Sequence, residues 1–201
     1  GEKKDPAMQA FPSELPAPWF ARKLETITSR LGKTIGTAPR SFRAARWGLN
    51  GSMVRALEAC GYLVDCSVTP GISWHRERGL TGGTGGPDFR SAPLRPYPLS
   101  VDNVCCPGDT DILEVPPTIL CTGALSHGDS PLARRFSRLS DSLLKRLLNR
   151  LVFRRRWLRI SRTSGLRDWG QILLAARRDG LDLLQFMIHS SELMAGTSPL
   201  T

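Results

Sequence analysis

The sequence has no apolar run approaching the ~18–20 residues that a membrane-spanning helix needs, and no basic-then-apolar leader opens it. A helical membrane span is therefore not expected. Cysteine is scarce and odd in number: Cys60, Cys66, Cys105, Cys106 and Cys121 cannot all pair within the chain, and no C-x-x-C spacing suggests zinc. Cys60 and Cys66 read as small hydrophobes, and the vicinal Cys105-Cys106 as chemically inert. Histidine is scarcer still. His75, His127 and His189 are too dispersed to form an H-x-x-x-H ligand pair. No G-x-S-x-G nucleophile motif is present, and the glycines of 82–86 do not join a strand to a helix, so they do not read as a phosphate-binding loop. There is no internal repeat.

What remains is an ordinary globular composition. The chain has 201 residues, 40% hydrophobic and 23% charged, enough for one medium domain or a piece of a larger one. The formal charge of +10 invites a nucleic-acid or anionic-surface reading until its distribution is examined. Between Arg134 and Arg178 stand 14 basic residues against Asp141 and Asp168, and the rest of the chain is close to neutral. The charge belongs to one segment.

Residues 1–13 lack a period and read as an extended lead-in. Phe20, Leu24, Ile27, Leu31 and Ile35 then recur at helical spacing, with Pro16 and Pro18 at the entrance and Gly36 as the stop. A short strand is expected over 40–46. A helix over 52–60 has Asn50 or Ser52 as cap candidate and Gly61 as its end. Strands follow over 62–68 and 112–120, the second confined or interrupted by Pro116-Pro117. The Gly/Pro-rich stretch 79–98 between them is long for a loop inside a compact domain. In the basic segment, Leu143, Leu144, Leu147, Leu148 and Leu151 predict a helix over 141–155, followed by a strand over 158–163. Ser164 should cap a helix ending at Gly180, and the apolar run 183–188 reads as a strand covered on both faces. Helices alternating with short buried strands imply an α/β fold with parallel pairing.

In such folds functional side chains gather at the carboxyl ends of strands. Arg43 and Arg46 precede Trp47-Gly48, Asp65 lies just before Ser67, and His189 directly follows a buried run. His189 is a candidate general acid or metal ligand, or a histidine hydrogen-bonded at a core rim. His75, flanked by Arg76, Glu77 and Arg78, reads as solvated, and His127 as part of a loop.

The order of the segments adds to this. Phe42-Arg-Ala-Ala-Arg-Trp-Gly48, the helix to Cys60-Gly61-Tyr62, and Val64-Asp-Cys-Ser-Val-Thr-Pro70 together resemble the middle of the polysaccharide deacetylases, carbohydrate esterase family four. Phe186-Met-Ile-His189 resembles that family's closing motif, and Gly86-Pro-Asp-Phe-Arg90 and Leu113-Glu-Val-Pro116 resemble segments of its bacterial surface-glycan branch. The resemblance implies a partial or distorted (β/α) barrel and removal of N-acetyl groups from a glycan. In the complete parent a divalent metal, usually zinc, would polarise the acetyl carbonyl and a water. By resemblance Arg43 would steer the catalytic aspartate, and His189 would protonate the leaving amine with Asp65 orienting it. Trp47, with Arg46 and Trp74, would line the sugar groove.

The family's early Asp-Asp and His-x-x-x-His motifs do not precede Arg43, and Ala45 and Cys66 stand where it often has Pro and Ser. The resemblance therefore implies a carboxyl-terminal part of a deacetylase, with no metal expected in this chain alone and no activity by itself. Its partner would be a glycan, in the bacterial cytoplasm or cell envelope. The alternative is a noncatalytic carbohydrate-binding or regulatory domain derived from that fold. A third reading takes the basic segment as a weak anionic-surface contact, without nucleic acid as the expected partner.

Overall fold

The computed structural model describes residues 11–78, 83–122, 155–159 and 165–194. The chain divides into two units, residues 1–116 and 117–201. Among the described residues the fold is mixed α/β, with three α-helices, open sheets and no closed barrel. None of the described helices is long and apolar enough to cross a membrane.

In the first unit, helix α1 (Ala17–Ile35) follows Pro16 and ends at Gly36, whose φ of 82° is the left-handed geometry glycine tolerates best. The predicted apolar stripe is only half used. Phe20 and Leu24 are buried, whereas Ile27, Leu31 and Ile35 are exposed. Helix α2 (Gly51–Ala59) is capped by Asn50, whose Oδ1 accepts the Met53 N–H at 3.1 Å, and it buries Met53, Val54 and Leu57. Gly51 is there for space: a Cβ on it would lie 1.6 Å from the carbonyl oxygen of Val101. Gly51→Ala is therefore expected to destabilise the first unit by about 3 kcal/mol, read from its urea midpoint. An unchanged midpoint would mean that the 101 loop moves freely.

Strands β1 (Ser41–Phe42), β2 (Val64–Asp65), β3 (Tyr97–Pro98) and β4 (Leu113–Glu114) form a sheet in the order β1-β2-β4-β3. The pairs β1–β2 and β2–β4 are parallel, as expected, and β3–β4 is antiparallel. Phe42 stacks edge-on between Phe20 and Tyr62, at centroid distances of 6.2 and 5.9 Å, tying β1 to α1 and to the turn after α2. The strands are shorter than predicted for a local reason. After Asp65, the N–H groups of Ser67 and Val68 go to the carboxylates of Asp65 and Glu114 instead of strand carbonyls, so the ladder stops. After Phe42 the chain turns into a short 3-10 helix at Ala45–Trp47.

The end of the lead-in is fixed rather than loose: Phe11 is buried, and Glu14 accepts hydrogen bonds from the Thr84 N–H and Oγ–H at 2.8 and 3.0 Å. The described part of the Gly/Pro-rich stretch is equally anchored, with Phe89 fully buried in the core beside Leu99 and Ile112.

Pro116-Pro117 interrupts the predicted strand over 112–120, leaving β4 before it and β5 (Ile119–Cys121) after it. In the second unit β5 pairs antiparallel with β6 (Arg155–Trp157), and helix α3 (Leu166–Arg178) packs on both. Arg155 was expected to end a helix, yet it pairs with Cys121 in a strand. The remainder of the predicted helix over 141–155 and most of the strand over 158–163 lie outside the described residues.

The apolar run 183–188 is not a strand covered on both faces. Leu183, Leu184 and Phe186 are exposed, and pairing is limited to a bridge between Met187 and Arg159. The Gln185 N–H goes to the Thr118 hydroxyl at 2.8 Å instead of a carbonyl, so no continuous ladder forms. Gly165 replaces Ser164 as the cap of α3, with its N–H donated to Asp168 at 3.1 Å.

Candidate functional site

Three of the predicted residues lie at the carboxyl ends of adjacent parallel strands. Arg43 follows β1, Trp47 lies four residues on, and Asp65 ends β2. The guanidinium of Arg43 sits 5.4 Å from the centre of the Trp47 ring, an exposed cation over a half-buried aromatic face. Arg46 and Trp47 both have positive φ, 53° and 65°. Side chains other than glycine rarely adopt this conformation, and each instance costs roughly 1–3 kcal/mol. The turn is held by backbone bonds from Trp47 N–H to Ala44 and from Gly48 N–H to Ala45, each 3.1 Å.

That turn is pinned to β2 through Ser67. The Ser67 hydroxyl accepts the Ala44 N–H at 2.8 Å and donates to Asp65 Oδ1 at 2.8 Å, while the Ser67 N–H donates to Asp65 Oδ2 at 2.8 Å. Asp65 is fully buried, and burial pushes its carboxyl above the usual range even though these donors pull the other way. Across the ladder, Asp65 stands opposite Glu114, also fully buried and pushed well above its usual range by burial and by Asp65.

The remaining first-unit residues have other contacts. Arg46 lies 5.1 Å from the Phe11 ring and pairs with Glu77 at 3.7 Å, both side chains about half exposed. Trp74 is half-buried and donates its indole N–H to Thr69 at 2.8 Å. His75 is exposed, as predicted, and His127 lies outside the described residues.

His189 belongs to the second unit and Asp65 to the first. His189 caps a short 3-10 helix, Ser190–Leu193, and meets the buried carboxylate of Glu192 twice: its N–H donates to Oε2 at 2.8 Å, and Nδ1 lies 3.3 Å from Oε1. The His189 N–H is the main cause holding the Glu192 carboxyl below its usual range. Arg159 approaches the same carboxylate at 3.5 Å. A carboxylate against Nδ1 fixes the imidazole and leaves Nε2 to exchange a proton.

The structure adds Ser67, Glu114 and Glu192 beside the predicted residues. Glu114 had a signal: in the run Ile112-Leu-Glu114 the two-residue period puts it on the same inward face as Ile112, where a carboxyl needs a reason. None of the five cysteines is in a disulfide, and burial raises Cys105 to about 11, in keeping with an inert role. No group of three or more His, Cys, Asp or Glu side chains among the described residues is placed to hold a metal ion. Compared with models of known protein families, with curated proteins and with solved structures, the chain has no match.

Proposed function

We propose that this chain contributes part of the sugar groove of a polysaccharide deacetylase-type domain, with a partial (β/α) barrel as its scaffold and an N-acetylated glycan as its ligand. The supporting observation is the convergence of Arg43, Trp47 and the buried Asp65 at one edge of a parallel sheet. Two side chains held in left-handed backbone at that edge add weight, because such strain persists where surrounding structure enforces it and clusters at functional sites.

The chemistry of these residues suits a sugar. An indole ring offers an apolar face to the C–H side of a pyranose, and a planar guanidinium donates in pairs to acetyl or ring oxygens. Arg43 is exposed and forms no ion pair among the described residues. The metal that the resemblance implies lacks a fitting donor set among the described residues, so this reading assigns no step to it. This reading keeps His189, whose Nδ1 lies 3.3 Å from Glu192 Oε1, as its candidate proton donor.

Oligosaccharides of an N-acetylated hexosamine should quench or shift tryptophan emission on titration. Arg43→Ala and Trp47→Ala should each weaken binding about fivefold to tenfold, while Arg22→Ala on α1 leaves it unchanged. Saturable binding without acetate release would favour the noncatalytic alternative. An absence of binding, or equal losses in all three variants, would sink the groove.

A further inference from the structure

The groove reading leaves one buried group unused, the carboxyl of Glu114. It stands opposite Asp65 in the β2–β4 register, and both side chains are fully buried. Glu114 Oε1 accepts the Val68 N–H at 3.0 Å, whereas Oε2 meets no hydrogen-bond partner of the ordinary kind among the described residues. Asp65 has no donor to give it, since both of its oxygens accept from Ser67. The parallel register nevertheless sets the two residues directly opposite each other, and their carboxyls accept from the successive N–H groups of Ser67 and Val68. Two carboxylates side by side in a dry interior repel strongly, and one proton between them turns the repulsion into a charge-assisted hydrogen bond. The proton belongs on the acid with fewer donors. Asp65 accepts from the Ser67 N–H and the Ser67 hydroxyl, both of which favour its anion; Glu114 accepts from the Val68 N–H alone.

We propose that Glu114 is a proton-carrying positioning residue: its protonated carboxyl donates to the Asp65 carboxylate, and through Ser67 and Ala44 this fixes the turn bearing Arg43 and Trp47. The groups facing the pair fit a neutral Glu114. β1 brings no ionisable side chain, β2 brings Asp65 itself and leads into the Cys66 thiol, and β3 places Tyr97 opposite Glu114. The Tyr97 hydroxyl donates to the Val104 carbonyl at 2.6 Å and is pushed upward by burial, so it stays neutral as well.

Loss of the proton undoes the brace. In the unfolded chain Glu114 ionises near its ordinary 4.5, and in the folded chain only at a higher pH. Between those values the folded state holds one proton more, so stability present at acid pH is lost as pH rises. The unfolding equilibrium constant should climb about tenfold per pH unit in that window. This inference goes beyond the glycan reading and requires no ligand, so either can fail without the other.

The test uses the whole chain and Glu114→Gln, which keeps the shape, one acceptor and a neutral donor. Infrared spectra at pH 7 should show the carbonyl stretch of a protonated carboxyl in the wild type and not in Glu114→Gln. Denaturant titrations across pH should show the alkaline loss of stability in the wild type and a flattened dependence in Glu114→Gln. Amide exchange of Ala44 and Ser67 at pH 8 should be slower in the variant than in the wild type. No protonated-carboxyl band in the wild type, a band that survives in Glu114→Gln, the same pH slope in both, or failure of Glu114→Gln to fold would each overturn the proposal.

Discussion

Asp65→Ala should remove about 4 kcal/mol of stability from the first unit. The loss comes from what Asp65 satisfies. Truncation leaves the Ser67 N–H and the Ser67 hydroxyl without their acceptor in a fully buried setting, and each orphaned donor costs roughly 1–3 kcal/mol. The protonated Glu114 carboxyl opposite loses its acceptor as well, which brings the sum to about 4 kcal/mol. With domain stabilities of roughly 5–15 kcal/mol, the variant would sit near the edge of folding at ambient temperature. Urea unfolding followed by tryptophan emission measures it. A loss below about 1 kcal/mol would mean that water replaces the carboxylate, and that Ser67 does not lock the Arg43–Trp47 turn.

Phe89→Ala should cost about as much, for a different reason. Phe89 lies in a stretch whose composition suggests an unstructured excursion, yet its ring is fully buried and its backbone is paired on both sides. Its N–H donates to Ile72 at 2.8 Å, and its carbonyl accepts from Gly71 at 2.9 Å and from Ala92 at 3.1 Å. The ring fills space among core residues of the sheet and of α2. Its removal should cost about 3–5 kcal/mol, as phenylalanine truncations in packed cores do. Heat or urea unfolding reads the change directly. A midpoint matching the wild type would show that the 83–92 segment is a dispensable insertion; a large drop makes it part of the unit's interior.

Helix positions were legible because their signals are local. The spacing from Phe20 to Ile35, Gly36 as terminator and a cap at Asn50 or Ser52 were readable from neighbouring residues; the helix, its stop and a cap at Asn50 are present. Strand lengths were not, because they depend on where a distant group captures a backbone N–H. Val68 ends its ladder on Glu114, 46 residues away. Burial also needs partners that sequence does not name. Ile27 and Phe20 look alike in the helical period, but only Phe20 has Phe42 beside it.

At the site, Arg43, Trp47 and Asp65 could be placed at strand ends from the order of elements. Their linkage through Ser67 could not, since it requires the register of β1 against β2. Glu192 was hidden similarly. Its role comes from the three-residue reach back to the His189 N–H.

The left-handed pair Arg46-Trp47 has a consequence for how this sequence can drift. Conformational ease alone favours glycine at both positions, so random change toward Gly-Gly would relax the turn while erasing its side chains. A chain that keeps an arginine and a tryptophan there holds its chemistry on a local uphill slope. Variants selected only for thermal robustness should slide off it first at this turn, leaving a better-folded sheet with a bare edge.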